Sequence, residues 1–202
     1  LANLSFLHNL MKRIVAGVDE VGRGSLIGPV YAAAVILNKK INKKDFKDSK
    51  KLSKTKREVL AKYIKKNSTW AIGFASLKEI EKINILNASL LAMKRAIIKL
   101  KKKPNLVLID GNKSPKIKNF LTKNIIRGDQ KIAEISAASI IAKVSRDKLM
   151  KNMSKKYKKY KWDINAGYGT KDHLKAIEKY GITKFHRKTF GPIHKILSLK
   201  KN

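Results

Sequence analysis

An α/β fold built on a mixed sheet of four or five strands is predicted by three observations. Short apolar runs rich in β-branched residues recur along the chain: Ile14 to Val18, Val30 to Leu37, Trp70 to Ala75, Leu106 to Ile109 and Ile125-Ile126. They alternate with segments whose apolar residues repeat at spacings of three and four, the period of an amphipathic helix. Only a brief turn through Gly28-Pro29 separates the first two runs, which suits an antiparallel pair, while later links leave room for parallel crossovers. The 202 residues amount to one ordinary domain with a substantial core.

The first run ends abruptly in Asp19-Glu20 and a glycine-rich turn, Gly22-Arg23-Gly24. Adjacent side chains of an extended segment point to opposite faces, so these acids can share a cation only where the strand twists or bends. Gly22 and Gly24 supply that bend and let backbone N–H groups approach a ligand, and Arg23 adds a planar fork suited to phosphate. A hairpin turn with solvated charges is the bland alternative. Apolar strands on both sides, no Asn-Gly or Asp-Gly pair, and the scarcity of acids elsewhere argue against it.

Asp19-Glu20-Val21-Gly22-Arg23-Gly24 followed by Gly28-Pro29 resembles the signature of the type 2 ribonucleases H (ribonuclease HII), metal-dependent endonucleases that cut RNA in RNA/DNA duplexes. The resemblance extends from about Arg13 to Pro192.

Composition points the same way. Lys plus Arg number 48 against 14 Asp plus Glu, a net charge of +34, which favours a polyanionic partner. Lys far outnumbers Arg and accompanies abundant Ile and Asn, a pattern that biased base composition also produces. The absence of Cys excludes disulfides and thiolate metal sites. No apolar run nears the roughly 20 residues of a membrane span, so a cytoplasmic protein without membrane attachment is expected. Residues 1–11 are too interrupted for a secretory signal and are expected outside the fold, with the domain over 12–195 and a basic tail over 196–202.

Lys47 to Ser53 is a polar loop that serves equally as a solvated surface or a phosphate contact; it resembles the family's Asp-Ser-Lys-x-Leu-Ser segment, which places Lys50 near substrate. Thr55 and Glu58 have capping-box spacing before a helix whose apolar face is Val59, Leu60, Tyr63 and Ile64. Leu86, Leu90, Met93, Ile97 and Leu100 define a second helix. It overlaps a family-like stretch, Glu79 to Met93, in which Glu81, Asn87 and Ser89 stand where Asp, Gln and Thr are usual. Pro104 stops this helix, and Leu106 to Ile109 leads into Asp110-Gly111-Asn112. A right-handed crossover from an earlier strand could place this strand beside and parallel to the first; in that arrangement Asp19 and Asp110 sit about 5 Å apart at adjacent strand ends, where one divalent cation could bridge them.

Ile125 to Asp129 repeats the pattern of apolar run, glycine and acid, and Ala133 to Met150 is a helix whose Ala137, Ala138, Ser139 and Ala142 allow close packing. By itself Asp129 is as readily a helix cap; Gly128-Asp129 with the run Ser136 to Asp147 matches the family, where this Asp is the fourth active-site carboxylate. Met153 to Trp162 interleaves lysines with Tyr157, Tyr160 and Trp162, which either stack on bases or pack inward. Gly167-Tyr168-Gly169-Thr170 presents one aromatic on a loop and matches the family's Gly-Tyr-Gly-Thr. Thr170 caps a last helix with Leu174, Ile177 and Tyr180 inward and Gly181 at its end. The histidines are scattered and structural or exposed.

The resemblance implies a ribonuclease H-like fold, a mixed five-stranded sheet flanked by helices with a helical C-terminal region. It implies that Asp19, Glu20, Asp110 and Asp129 are catalytic metal ligands. An all-oxygen donor set suits Mg²⁺ or Mn²⁺, and two such cations about 4 Å apart serve phosphodiester hydrolysis. The implied substrates are RNA/DNA hybrid duplexes and ribonucleotide-containing DNA, cut 5′ to the ribonucleotide to leave 3′-hydroxyl and 5′-phosphate ends. Gly22, Arg23, Gly24, Lys50, Ser139, Lys143, Arg146 and Tyr168 are the expected substrate contacts, in a monomer. The type 3 enzymes normally carry an extra N-terminal domain, for which eleven residues before Lys12 leave no room. A non-catalytic basic nucleic-acid binder would explain the charge but not four acids at strand ends.

Overall fold

The computed structural model describes residues 14–42, 46 and 52–199. Its sheet has five strands, β1 (Val15–Val21), β2 (Val30–Leu37), β3 (Ser68–Ala75), β4 (Leu106–Asp110) and β5 (Leu121–Ile125), in the spatial order β3-β2-β1-β4-β5. The first three pair antiparallel, whereas β4 pairs parallel to β1 and β5 parallel to β4. The described α-helices are α1 (Lys54–Asn67), α2 (Leu77–Ile98), α3 (Gly128–Lys131), α4 (Ala133–Lys156), α5 (Trp162–Asn165), α6 (Lys171–Tyr180) and α7 (Gly191–Leu199), with a 3-10 turn at Lys158–Tyr160. No described helix is long and apolar enough to cross a membrane.

Because β1 lies mid-sheet, helices cover both its faces. Ala16 and Val18 join Ala32 and Ala34 of β2 under α2, and Ala33 and Val35 meet α1 and α4 on the other side. Alanines there let helices approach, and at Gly17 a Cβ would strike the α4 backbone at Glu134-Ile135. That contact brings the middle of α4, with Ser139 and Lys143, over the end of β1.

Several local expectations shift. The cap of α1 is Ser53, whose hydroxyl accepts from Lys56 N–H at 3.3 Å, not Thr55. Its buried face is Ala61 and Ile64, while Val59 and Tyr63 are 63% and 41% exposed. The capping box is at Ser76 and Glu79, whose carboxylate also holds Arg95 at 2.6 Å. Asn84, at φ 62°, breaks α2 and accepts from Asn87 N–H, so the second half restarts as a capped helix; this explains why the apolar period begins at Leu86. β5 precedes the predicted Ile125-Ile126 run because, at a sheet edge, its residues alternate instead of being continuously apolar. α7 carries the chain to Leu199, so Ile196 and Leu197 of the expected tail pack against the C-terminal core.

Tyr157, Tyr160 and Trp162 turn inward, ring centroids 5.1 and 5.2 Å from the Trp162 ring, and Tyr180 of α6 stays 43% exposed. His173 and His186 are buried beside them, ring centroids 5.5 Å apart. Trp162 donates to His173 Nε2 at 3.0 Å, which fixes the Nδ1–H tautomer that donates to the Tyr168 carbonyl at 2.9 Å. His186 Nδ1 accepts from Thr183 N–H at 2.8 Å. Burial, with His173 adding to it, pushes the His186 pKa down to about 4. A depressed folded-state pKa means that unfolded chains take up the proton first. Stability present above about pH 6.5 is therefore lost as pH falls, by about 2 kcal/mol at pH 5 for His186 alone. Urea unfolding at pH 7 and pH 5 checks this: His186→Asn, which retains an acceptor, should flatten the dependence, and an unchanged slope would refute it.

Candidate active site

The parallel register Val18↔Ile109 places Asp19 and Asp110 next to each other in the ladder, at the carboxyl ends of neighbouring central strands. β5 delivers the third acid segment: Asp110 pairs with Ile125, Arg127 adopts the left-handed conformation at φ 55°, and the chain turns back into Gly128-Asp129. Asp110 Oδ1 accepts from Gly128 N–H at 2.6 Å and from Asp129 N–H at 3.4 Å. Asp110, not Asp129, therefore caps the short α3, and Asp129 is drawn into the same cleft.

That cleft, about 330 Å³, is lined by all four predicted carboxylates with Arg57, Ser139 and Lys143. Asp19 and Asp129 are only 6% and 4% exposed. Burial, then repulsion from Glu20 and Asp110, raises the Asp19 pKa well above its ordinary value, against the lowering effect of a hydrogen bond with Ser139. Burial likewise raises Glu20, opposed chiefly by Arg23. Among the described residues no group of three or more His, Asp or Glu side chains is already arranged to hold an ion. Glu20 turns to Arg23 at 3.2 Å, and Asp19 Oδ1 accepts from Glu20 N–H at 2.7 Å. Buried, mutually repelling carboxylates with only oxygen donors fit a hard divalent cation that relieves the repulsion.

Two buried arginines set the glycine turn. Arg146, 0% exposed, donates to the carbonyls of Ala166 at 2.9 Å, Ile27 at 3.2 Å and Pro29 at 3.3 Å, and to Ser25 Oγ at 2.7 Å. Arg187, also 0% exposed, donates to the carbonyls of Gly28 and Arg23, each at 2.9 Å. Neither is hydrogen-bonded to an acid, and desolvation lowers both pKa values, that of Arg187 to about 9. Gly22, at φ 92°, passes so close to Arg146 that any Cβ would overlap the guanidinium.

The same clamp positions Tyr168. Leu26 N–H donates to Gly167 O at 2.8 Å, and the Gly24 α-carbon edge faces the Tyr168 ring, so a Cβ there would lie 3.9 Å from it. The structure thus groups Gly22, Arg23, Gly24 and Tyr168 around one turn. Lys143 reaches the cleft wall, paired with Asp147 at 2.8 Å and 5.9 Å from the Tyr168 centroid. Ser139 serves Asp19 directly. Arg146 corrects the expectation of a phosphate contact, since burial and four protein acceptors leave it no free face. Lys50 lies outside the described residues. Sequence reasoning missed Arg57 and Arg187; an arginine in a helix or after a histidine carries no periodic signal of its role.

The comparisons agree with this geometry. The family described as Ribonuclease HII matches residues 16–192. A Ribonuclease HII of Pelagibacter ubique is 72% identical over 185 residues, covering 92% of this chain and 100% of that protein, and one of Paracoccus denitrificans is 48% identical, covering 92% and 88%. The crystal structure of ribonuclease H2 from Pyrococcus horikoshii OT3 superposes with a TM-score of 0.77 at 28% identity, over 93% of this chain and 99% of that one. The carboxylate cleft at the ends of β1 and β4, the glycine turn beside it and a match spanning nearly the whole domain together show that the chain belongs to the ribonuclease HII family of endoribonucleases.

Proposed function

We propose that this protein hydrolyses the RNA strand of RNA/DNA hybrids and cuts 5′ to single ribonucleotides in duplex DNA, leaving 3′-hydroxyl and 5′-phosphate ends. It does so with Mg²⁺ or Mn²⁺, as a cytoplasmic monomer. The observation that carries this reading is the placement of Asp19, Glu20, Asp110 and Asp129 in one cleft that also holds Ser139 and Lys143.

Divalent cations bound there would supply an activated water and charge stabilisation on the departing oxygen. The four carboxylates would hold them, Asp19, Glu20 and Asp110 from the sheet and Asp129 from the start of α3. Ser139 hydrogen-bonds Asp19, and the Lys143 ammonium on the cleft wall would meet a substrate phosphate. The bond from phosphorus to the preceding 3′ oxygen breaks as the water oxygen attacks from the opposite side. Backbone groups of Gly22, Arg23 and Gly24 can meet a 2′-hydroxyl, the one donor and acceptor that distinguishes ribose from deoxyribose. Tyr168 offers an aromatic face for the next sugar, where a 2′-hydroxyl would crowd it. The pair would read a junction and not a base.

Cleavage of a duplex with one embedded ribonucleotide and of a continuous hybrid, each with Mg²⁺ or Mn²⁺ and with end analysis, tests the function. Tyr168→Ala should lower single-turnover cleavage at the lone ribonucleotide about tenfold, since aromatic stacking contributes roughly 1–3 kcal/mol. Duplex affinity should change much less. Equal losses on both substrates would remove Tyr168 from junction recognition, and no metal-dependent cleavage of either would overturn the function.

A further inference from the structure

Between Glu81 and Asp129 the chain carries twelve Lys and Arg but a single acid, Asp110, which belongs to the cleft. The topology gathers much of this segment at one edge. β4 and β5 end the sheet, the loop 111–120 returns between them, and the last turns of α2 lie alongside. There a groove of about 810 Å³ runs between α2 and the loop, with Lys94, Lys116 and Lys118 on its walls and Ile98 and Phe120 in its lining. All three lysines are exposed, and Ile98 is 57% exposed. Among the described residues, Arg95 is the only cation of this segment in an ion pair.

We infer that this edge is a second nucleic-acid contact, which takes the phosphate backbone of duplex extending past the cleft. The inference rests on the proposed nuclease function and adds where a long substrate lies. Continuity with the cleft argues for this occupant: the loop leaves directly from Asp110, and Lys113, Lys116 and Lys118 follow within eight residues, all exposed. Lys113 to Lys118 spans at most about 17 Å of extended chain, the rise of about five base pairs at 3.4 Å each. Cationic walls without competing carboxylates suit a polyphosphate. Phe120, with Lys103 Nζ 5.6 Å from its ring centroid, gives a half-covered apolar floor for sugar edges.

The test compares 12- and 30-base-pair RNA/DNA hybrids. The triple variant Lys94→Gln, Lys116→Gln, Lys118→Gln leaves Lys113 in place because of its closeness to Asp110. A control, Lys62→Gln, Lys66→Gln, Lys175→Gln, removes equal charge from exposed positions of α1 and α6. Affinity of the first triple for the 30-mer should fall about tenfold or more, and its log–log salt slope should flatten by roughly 2–3, near 0.9 per lost phosphate contact. Cleavage of the 12-mer should stay within about twofold of the unaltered protein, and the control should bind the 30-mer nearly normally. Equal losses from the two triples would mean that only total charge matters and would overturn the inference, as would an unchanged 30-mer affinity. Failure of the unaltered protein to cleave the 12-mer would overturn the nuclease function instead, with the binding comparison still deciding the surface.

Discussion

Asp110→Asn and Asp19→Asn are each expected to lower metal-dependent cleavage at least about 1000-fold at saturating Mg²⁺, equivalent to about 4 kcal/mol of transition-state stabilisation. The substitutions are nearly isosteric, so the loss reports charge. Asp110→Asn keeps an oxygen for Gly128 N–H, the 2.6 Å contact that brings Asp129 into the cleft. Geometry therefore survives while a carboxylate charge disappears from the cleft. Stability should move oppositely: Asp19 is buried and repelled by Glu20 and Asp110, so metal-free Asp19→Asn should melt at a higher temperature than the unaltered protein. Added Mg²⁺ should raise the melting temperature of the unaltered protein and have little effect on either variant. Activity within tenfold of normal for both variants would remove these acids from the metal site.

Asp19 and Asp110 stood out in the sequence because a short apolar run stops at each and a glycine follows within three residues, whereas Asp129 alone read equally well as a helix cap and was assigned through the family resemblance. The strand before Asp129 was misplaced, since an edge strand such as β5 lacks a continuous apolar run. The parallel β1–β4 pairing that unites them needs three-dimensional order, which periodicity does not encode; the family resemblance supplied it. Tyr157, Tyr160 and Trp162 show the opposite limit. Interleaving with lysines fits a base-stacking surface and a packed core equally well, and only burial of Trp162 against His173 decides for the core. Arg146 was expected to contact substrate, yet its buried guanidinium is held by the Pro29 and Ile27 carbonyls and the Ser25 hydroxyl, all more than a hundred residues away in sequence, and by the Ala166 carbonyl.

Arg146→Ala should accordingly destabilise the fold by about 3–5 kcal/mol, because one change leaves several buried acceptors unpaired and opens a cavity. For a chain of this size that is a fall of about 10 °C in melting temperature. Arg146→Lys keeps the charge but has no planar fork, so it cannot span the Ala166, Ile27 and Ser25 oxygens together and should recover only part of the loss. The turn at Gly22-Arg23-Gly24 should loosen in both variants. Cleavage by protein that remains folded at low temperature should drop, while the salt dependence of duplex binding stays parallel to that of the unaltered enzyme. A phosphate contact behaves otherwise: its removal flattens the log–log salt slope by about 1 and scarcely affects melting. Gly22→Ala approaches the same clamp from the other side, forcing a Cβ onto the Arg146 guanidinium at a backbone angle that favours glycine. If the clamp sets the turn, the loss from Gly22→Ala should be smaller in an Arg146→Lys background, where part of the overlapping group is gone, than in the unaltered protein. Fully additive losses, together with a flattened salt slope for Arg146→Lys, would return Arg146 to the substrate.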